Sequence, residues 1–328
     1  MKKTALALVL ALLLSILAST LVNLAASNPL PAPPILEVHI RSDGTIDPSN
    51  VPIQRTGNTY TFTGDLINAT LQVERDKTVI DGAGFTLQGN GPSWDFGITL
   101  TNRSNIVIQD LNIRDYWYSI YVTASSNITI YRNNMITLWN IELDSSVDSQ
   151  IIGNSITAQD KGHGYCINIE HNSSDNRIIA NSFYDAGGAL QGMDGTNNKI
   201  YLNNFIDNSN NVMGWVVGEE GNFWDNMTRG NFWSDYKGVD ADGDGLGDTP
   251  YLIQDRWLDK HPLMTPFNIT SFIIGMPEWA NSTQPEPFSI PLTIAAVILV
   301  AIGTIALIVV VCAGLLVYYR KSRRGKTQ

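Results

Sequence analysis

The chain has 328 residues, and its 31 acidic side chains outnumber its 21 lysines and arginines, which gives a formal net charge of −10. Two of the basic residues lie within the first three positions and five within the last nine, so the segment between them is more acidic still. This charge argues against nucleic acid as a partner and favours solubility or cation binding. The two cysteines, Cys166 and Cys312, fall in a predicted strand and a predicted membrane span, so we expect no disulfide in the exterior.

Residues 1–27 have the features of a secretion signal. A basic start at Lys2 and Lys3 precedes an apolar run that ends in small residues near Ala26, as signal peptides do. The apolar run is long for a signal, so an uncleaved membrane anchor is the alternative. Residues 28–36 are rich in proline and form a stiff spacer.

Residues 37–238 contain a four-residue pattern that recurs every 21–26 residues. Its copies begin at Gly97, Ser119, Asn140, Cys166, Ala189 and Asn211. Apolar residues alternate within the copies, as in Ile98 and Leu100, which indicates a strand with one buried face. The gaps are rich in Asn, Ser, Asp and Gly, which favour turns. Repeats of this length with several short strands and no helix predict an all-β parallel β-helix, whose stacked coils share one core.

An asparagine recurs in the same rhythm. Its copies are Asn133, Asn154, Asn181 and Asn203. A stacked asparagine at a tight bend can bond to the backbone or the amide of the neighbouring coil. Asn134 fits the pattern as well as Asn133 does, so the register of this ladder is open.

Aromatic residues also recur, each two residues before an isoleucine that is predicted to point inward. They are Phe96, Tyr118, Trp139 and Tyr165. Strand parity places these rings inside, which favours an internal aromatic stack. A sugar-stacking strip is the alternative. The same parity assigns five residues to the outward face, a mixed polar set without a catalytic constellation: Thr99, Tyr121, Glu142, Asn168 and Gln191.

The segment Gly162-His163-Gly164 matches the Gly-His-Gly motif of polygalacturonases. The Asn-Thr-Asp and Asp-Asp motifs that this class also requires are missing from the sequence. We therefore favour a turn histidine, and Glu142 and His163 are the weak catalytic candidates for glycoside hydrolysis.

Two copies of Gly-Asn-Phe-Trp follow the repeats, at 221–224 and 230–233. Open ends of repeat folds need a cap, and large aromatic residues can close the last coil. A sugar-binding aromatic patch is the alternative interpretation.

Residues 239–280 contain an acidic loop followed by a C-terminal extension. The loop carries Asp240, Asp242, Asp244 and Asp248, with glycine at the sixth position. This spacing matches the start of a calcium loop, and crowded carboxylates repel one another without a cation. Tyr251 replaces the glutamate of an EF-hand, so we predict an isolated calcium loop completed by Asp255 or Asp259. A solvated acidic turn is the alternative.

Asn-x-Ser/Thr sequons mark possible glycosylation sites on an exported domain. They occur at Asn68, Asn102, Asn127, Asn172, Asn226, Asn268 and Asn281. In an Asn-rich repeat some of these matches arise by chance, and Asn127 has a structural interpretation because it opens a coil.

The C-terminal region predicts a single membrane span. Residues 281–289 form a linker, and residues 290–319 are almost wholly apolar and uncharged, long enough for a spanning helix. The tail, residues 320–328, carries five basic residues. Because basic residues stay on the cytoplasmic side, we expect a cytoplasmic C-terminus and an extracellular bulk.

Three parts of the chain resemble one family. They are Val79-Ile80-Asp81-Gly82-Ala83-Gly84, the Asn-Ile-Thr-Ile repeats, and the segment from Gly230 through Asp248-Thr249-Pro250-Tyr251 to Met264. Together they resemble NosD-type proteins, and among these the archaeal surface-anchored members, over roughly residues 35 to 265. The resemblance implies a right-handed parallel β-helix of the pectin-lyase type, exported to the cell surface.

NosD is described as a copper-binding accessory protein in the maturation of nitrous oxide reductase. The four histidines of this chain are scattered, and no Cys/Met cluster accompanies them, so we do not expect copper. The sequence favours a membrane-anchored surface protein that binds glycan, cell wall or a partner protein without catalysis. A polysaccharide hydrolase or lyase is the first alternative, and a metal accessory protein is the second.

Overall fold

The computed structural model describes residues 34–91, 94–214 and 221–281. The predicted signal (1–27), membrane span (290–319) and basic tail (320–328) lie outside these residues, as does nearly all of the linker (281–289). Within the part that is described, no helix is both long and apolar enough to cross a membrane. The described residues all belong to one compact unit, Met1–Ser282.

Twenty-seven short strands, numbered along the chain, form three long sheets and one hairpin. Sheet A contains β1 (Leu36–Ile40), β2 (Ile46–Asp47), β6 (Ala69–Val73), β9 (Phe96–Thr101), β12 (Tyr118–Thr123), β15 (Trp139–Asp144), β18 (Tyr165–Glu170), β21 (Gly188–Gly192) and β24 (Val212–Met213). Sheet B contains β3 (Ile53–Thr56), β4 (Thr59–Phe62), β7 (Thr78–Asp81), β10 (Ser104–Gln109), β13 (Ser126–Tyr131), β16 (Gln150–Ile152), β19 (Arg177–Ile179) and β22 (Lys199–Tyr201). Sheet C contains β5 (Leu66–Ile67), β8 (Thr86–Gln88), β11 (Asn112–Arg114), β14 (Asn134–Thr137), β17 (Ser155–Ala158), β20 (Ser182–Tyr184), β23 (Asn204–Ile206) and β25 (Phe232–Trp233). The hairpin pairs β26 (Tyr251–Ile253) with β27 (Trp257–Asp259), and 3-10 helices cover Ile269–Ser271 and Glu278–Asn281.

The chain visits sheets A, B and C in turn, and each visit adds a parallel strand beside that of the previous coil. Seven coils have a strand in all three sheets. This arrangement confirms the predicted parallel β-helix, while its right-handed sense stays a prediction.

The core consists of apolar columns that run through the coils. In sheet A, Ile98, Ile120, Ile141 and Ile167 are paired in register, and each is at most 1% exposed. Burial of one such side chain stabilises the fold by about 1.5–3 kcal/mol. The inward column predicted from the sequence is therefore confirmed.

A buried asparagine ladder lies beside the core. The side-chain oxygen of Asn154 accepts from the backbone N–H of Asn133 at 2.8 Å, and that of Asn181 accepts from Asn154 N–H at 2.9 Å. The pattern continues through Asn203 to Asn231. Asn133 is 1% exposed whereas Asn134 is exposed, so the ladder contains Asn133 and not Asn134.

Aromatic residues close the last coil. Trp233 stacks on Phe205 of the seventh coil at 4.2 Å and on Tyr251 at 4.2 Å. Trp224 and Trp233 are both buried, which confirms the capping interpretation of the repeated Gly-Asn-Phe-Trp segment.

A segment that we call the strap, residues 265–281, runs back along the outside of sheet B. At one end Phe267 N–H donates to Asn204 Oδ1 in the seventh coil, and at the other Asn58 Nδ2 donates to Trp279 O beside the first coil. Between these points its apolar side chains pack on the outer residues of sheet B. These contacts bury sheet B on both faces.

Candidate functional site

The outer face of sheet A carries the ring ladder that strand parity placed inside. Successive rings of Phe96, Tyr118, Trp139 and Tyr165 have centroids 5.6, 5.2 and 5.4 Å apart, and all four side chains are half-buried. The predicted internal stack is therefore wrong. We call these four residues, together with Tyr121, the aromatic strip.

Parity fails because the strand is irregular between the ring and the inward isoleucine. In the second of these coils, Ser119 and Ile120 are both fully buried, although adjacent residues of a regular strand point to opposite faces. The extra inward residue shifts Tyr118 to the outside, where its ring lies 5.5 Å from that of Tyr121. The small or polar residues at this position, such as Ser119, Asn140 and Ala189, are the signal that could have revealed the shift.

Two further tryptophans extend the aromatic surface beyond the strip. Trp94 and Trp117 stack at 4.1 Å, and Trp117 meets Trp139 edge-on at 5.0 Å. Trp94 is 73% exposed. A cavity of about 220 Å³ adjoins this end of the strip and is lined by Trp94, Phe96, Thr99, Gln72, Glu37 and His39.

Glu142 belongs to a second column of residues beside the rings, on the outward face as predicted. In this column it is paired in register with Tyr121 on one side and Asn168 on the other. It is only 3% exposed, and its two oxygens accept from Asn168 Nδ2 at 3.2 and 3.0 Å. Burial raises the pKa of Glu142 to about 7, and the negative charges of Glu170 and Asp144 act in the same direction. The hydrogen bonds from Asn168 and Tyr118 oppose the shift in pKa only in part.

The same column ends in two acceptor atoms without partners. Asn168 Oδ1 and Gln191 Oε1 are buried, and no described group donates a hydrogen bond to either. Asn168 and Gln191 are paired in register on adjacent strands. A buried acceptor without a donor is costly, and both atoms are shielded from solvent by their surroundings.

His163 lies apart from the hydrogen-bonding group of Glu142. It is 88% exposed in the turn before β18, and its Nδ1 lies 3.1 Å from Asp160 Oδ2. Glu142 bonds instead to Asn168 and Tyr118. These contacts agree with the turn-histidine interpretation. No hydrogen bond among them links His163 to Glu142, the two weak catalytic candidates.

The acidic loop brings three of its four predicted ligands together. Oxygens of Asp240, Asp242 and Asp244 lie within 4.8 Å of one another, whereas Asp248 Oδ2 accepts from Ala241 N–H at 2.8 Å. Burial acts to raise the pKa of Asp240, but backbone N–H groups led by that of Gly245 outweigh it and hold the pKa below its ordinary value.

Asp259 does not complete this loop. It is 0% exposed and accepts from Asn231 N–H at 2.6 Å and from Trp233 Nε1 at 2.9 Å, at the end of the asparagine ladder. The proposed completion by Asp259 is therefore wrong, because its carboxylate is committed to the ladder. Calcium binding itself stays a prediction.

Most of the predicted glycosylation sites are exposed, and glycosylation itself stays a prediction. Asn102, Asn127, Asn172, Asn226 and Asn268 are exposed, and Asn68 is half-buried. Asn127 Nδ2 also donates to Asn105 Oδ1 at 2.7 Å, in line with its structural interpretation. The side chain of Asn281 lies outside the described part.

Copper does not fit the described residues. Each described histidine faces a carboxylate of its own, and the pairs are His39–Glu74, His163–Asp160, His171–Asp144 and His261–Asp225. The Cys166 thiol is buried, and burial raises its pKa. The only described cluster of three or more His, Cys, Asp or Glu is the aspartate loop, and oxygen ligands suit hard cations rather than copper.

The chain is similar to one protein family and, among individual proteins, to a NosD protein and to a solved periplasmic structure. The family described as "Periplasmic copper-binding protein (NosD)" matches residues 38–238. A "Probable ABC transporter binding protein NosD" from Pseudomonas aeruginosa is 44% identical over 87 residues, which are 26% of this chain and 20% of that protein. The chain thus spans about a fifth of that relative's length. The crystal structure of the periplasmic alginate epimerase AlgG overlaps with a TM-score of 0.39 at 19% identity, over 48% of this chain and 37% of that one.

Proposed function

This chain belongs to the family of NosD proteins, and from that premise we propose that it is an exported β-helix protein that binds a glycan chain along the aromatic strip. The observation that carries the proposal is the register of the rings, which repeats on four successive strands of one outer face. Half-buried rings offer flat apolar surface that is held rigidly and still reached from solvent.

The geometry of the strip favours an extended ligand. Four strands span three steps of about 4.8 Å each, or roughly 14 Å in all. A single sugar covers only part of that length, whereas a chain of sugars contacts several rings at once. Half-buried polar side chains of the neighbouring column, Thr99 and Tyr121, lie on the same outer face and support bonding to its hydroxyls.

Anchoring at the membrane is part of the proposal and rests on the sequence. The apolar run at 290–319 and the basic tail at 320–328 support a single span with the coils outside. The sequons, whose described asparagines are exposed or half-buried, support an exterior location for the coils. A cell-wall glycan, or a glycan carried by a partner protein, would be a ligand of this type.

The test is binding of glucose-based oligosaccharides of increasing length to the full-length chain, measured by calorimetry. We expect affinity to rise with length until the strip is filled. Trp139→Ala should weaken binding at least tenfold, because Trp139 contacts the rings of Tyr118 and Tyr165 at the centre of the strip. Tyr184→Ala, which removes a half-buried ring from sheet C, is the matched control and should bind normally. Equal losses in both variants would count against the strip.

A hydrolase is the second candidate, favoured by the raised pKa of Glu142, since a carboxyl that keeps its proton near neutral pH can act as a general acid. Asp144 lies on the same strand two residues further, and glycoside hydrolysis uses a pair of carboxyl groups. Release of new reducing ends by the native chain, lost in Glu142→Gln, would establish this activity. Binding without such release would leave the strip as a binding surface.

A further inference from the structure

Resting on the proposed function, we infer that the aromatic strip selects neutral and amino-sugar glycans and rejects polymers of uronic acids. The inference names the chemical class of the ligand from the charges and the accessible acceptor groups around the strip.

The first observation is the charge of sheet A. None of its nine strands, all within the described residues, contains lysine or arginine. The acidic side chains on the strands of the strip are Glu142, Asp144 and Glu170. Glu142 is buried with a pKa of about 7, and Asp144 pairs with His171. Recognition of a carboxylate normally uses arginine or lysine, and like charges brought together across an interface cost several kcal/mol.

Basic residues from the neighbouring turns are neutralised by partners. Arg41 lies 2.8 Å from Glu74, Arg103 lies 3.5 Å from Asp76, and Lys161 lies 3.3 Å from Asp185. A uronate on the strip would therefore meet acidic groups whose charge is not balanced by these cations.

The second observation is the pair of half-buried acceptor groups on the strands of the strip, the carboxyl groups of Asp144 and Glu170. Hydroxyl and ammonium groups of a sugar supply donors to such oxygens, whereas an ionised carboxylate is an acceptor only. Aromatic faces also attract cations, so the amino group of a glucosamine polymer is compatible with both the rings and the carboxyl groups.

The experiment compares three oligosaccharides of equal length on the full-length chain in a detergent without sugar headgroups. The probes are oligomers of glucose, glucosamine and galacturonic acid, and binding is measured by calorimetry at low and at physiological salt. We expect the glucosamine oligomer to bind at least as tightly as the glucose oligomer, and the galacturonic acid oligomer to bind at least tenfold more weakly than either.

Two variants separate site binding from general attraction of a cation to an acidic protein. Trp139→Ala keeps the net charge and should lose binding of the glucose and glucosamine oligomers together. Glu170→Gln, which removes a half-buried carboxyl from the last strand of the strip, should retain the glucose oligomer and lose the preference for glucosamine. Asp148→Asn, which removes an exposed acid in the coil of Trp139, is the control for the loss of one charge and should behave like the native chain. Circular dichroism verifies that each variant is folded.

The outcomes distinguish this inference from the proposed function. Tight binding of galacturonic acid that depends on Trp139 would leave glycan binding standing and overturn the selectivity. Glucosamine binding that survives Trp139→Ala would also overturn it, because the attraction would then be unspecific. If none of the three probes binds, the proposed function fails and this inference falls with it.

Discussion

At the scale of single residues, Glu142 is unusual because its carboxyl is buried on a face that is otherwise open to solvent. Its ordinary pKa of 4.5 rises to about 7 in the folded protein. Between these two values the folded state holds a proton that the unfolded state has released. Stability therefore falls as pH rises through this window, and a shift of this size corresponds to about 3 kcal/mol.

Glu142→Gln tests this expectation. The amide cannot ionise, so the variant should be more stable than the native chain at pH 8, by about 3 kcal/mol, and differ little from it at pH 4. Urea unfolding at several pH values measures the difference. A difference that does not change with pH would show that Glu142 ionises in the folded state as it does in water.

Neighbouring asparagines provide a second test at this scale. Asn133→Ala removes the acceptor of Leu111 N–H at 3.1 Å and the donor to Ile108 O at 2.9 Å, and leaving both buried groups unpaired costs roughly 2–4 kcal/mol. Asn134→Ala is the matched control, because Asn134 is exposed, and should change stability by less than about 0.5 kcal/mol. Similar losses in the two variants would contradict the ladder.

Some of these residues could be identified from the sequence and others could not. The inward isoleucines follow from alternation, since period 2 is a property of the backbone. The outward position of Tyr118 depends on one irregular residue, Ser119, whose inward direction a simple alternation count misses. The pKa of Glu142 depends on Glu170 and Asn168, which come from the next coil, and only the fold brings these residues together.

At the scale of elements, the strap explains the composition of sheet B. Strands in which consecutive residues are both apolar are typical of sheets buried on both faces. Val107 and Ile108 form one such pair of consecutive residues, and Ile151 and Ile152 form another. This signal is present in the sequence and could have revealed that something covers sheet B. It did not indicate which segment, because the strap has no repeat of its own.

Adjacent residues of the strap allow a direct test. Phe272 is half-buried and packs with the cluster around Tyr131, whereas Ile273 is 80% exposed. We expect Phe272→Ala to lower the free energy of unfolding by about 1–3 kcal/mol and Ile273→Ala to have almost no effect. Urea denaturation measures both, and equal effects would show that the strap is not held by its inner face.

The acidic loop is a second element with a testable prediction. If it binds calcium as its spacing predicts, added calcium should raise the melting temperature of the full chain and a chelator should lower it. Asp242→Ala combined with Asp244→Ala should abolish the response, and Glu278→Ala, which removes an exposed acid of the strap outside the loop, should retain it. Absence of any calcium response in the native chain would leave the loop as a solvated turn.

At the scale of the whole molecule, the stack of coils converts a repeat in sequence into a surface with fixed spacing. Beyond the first coil, the strands of each coil pair only with those of the adjacent coils, so stability and ring spacing are both built one step at a time. The architecture was predictable because the repeat is a one-dimensional pattern. The class of ligand that we infer could not be predicted from the sequence. The distribution of basic residues among the sheets becomes visible only when each strand has been assigned to its sheet.

The strap also determines how the folded rod would respond to mechanical load. Asn68 Nδ2 donates to Pro34 O, and Asn58 Nδ2 donates to Trp279 O, so both limits of the described fold lie at the first coil. A force applied to these two points would peel the strap from sheet B one contact at a time. The coils beyond the first would bear little of the tension until the strap had separated.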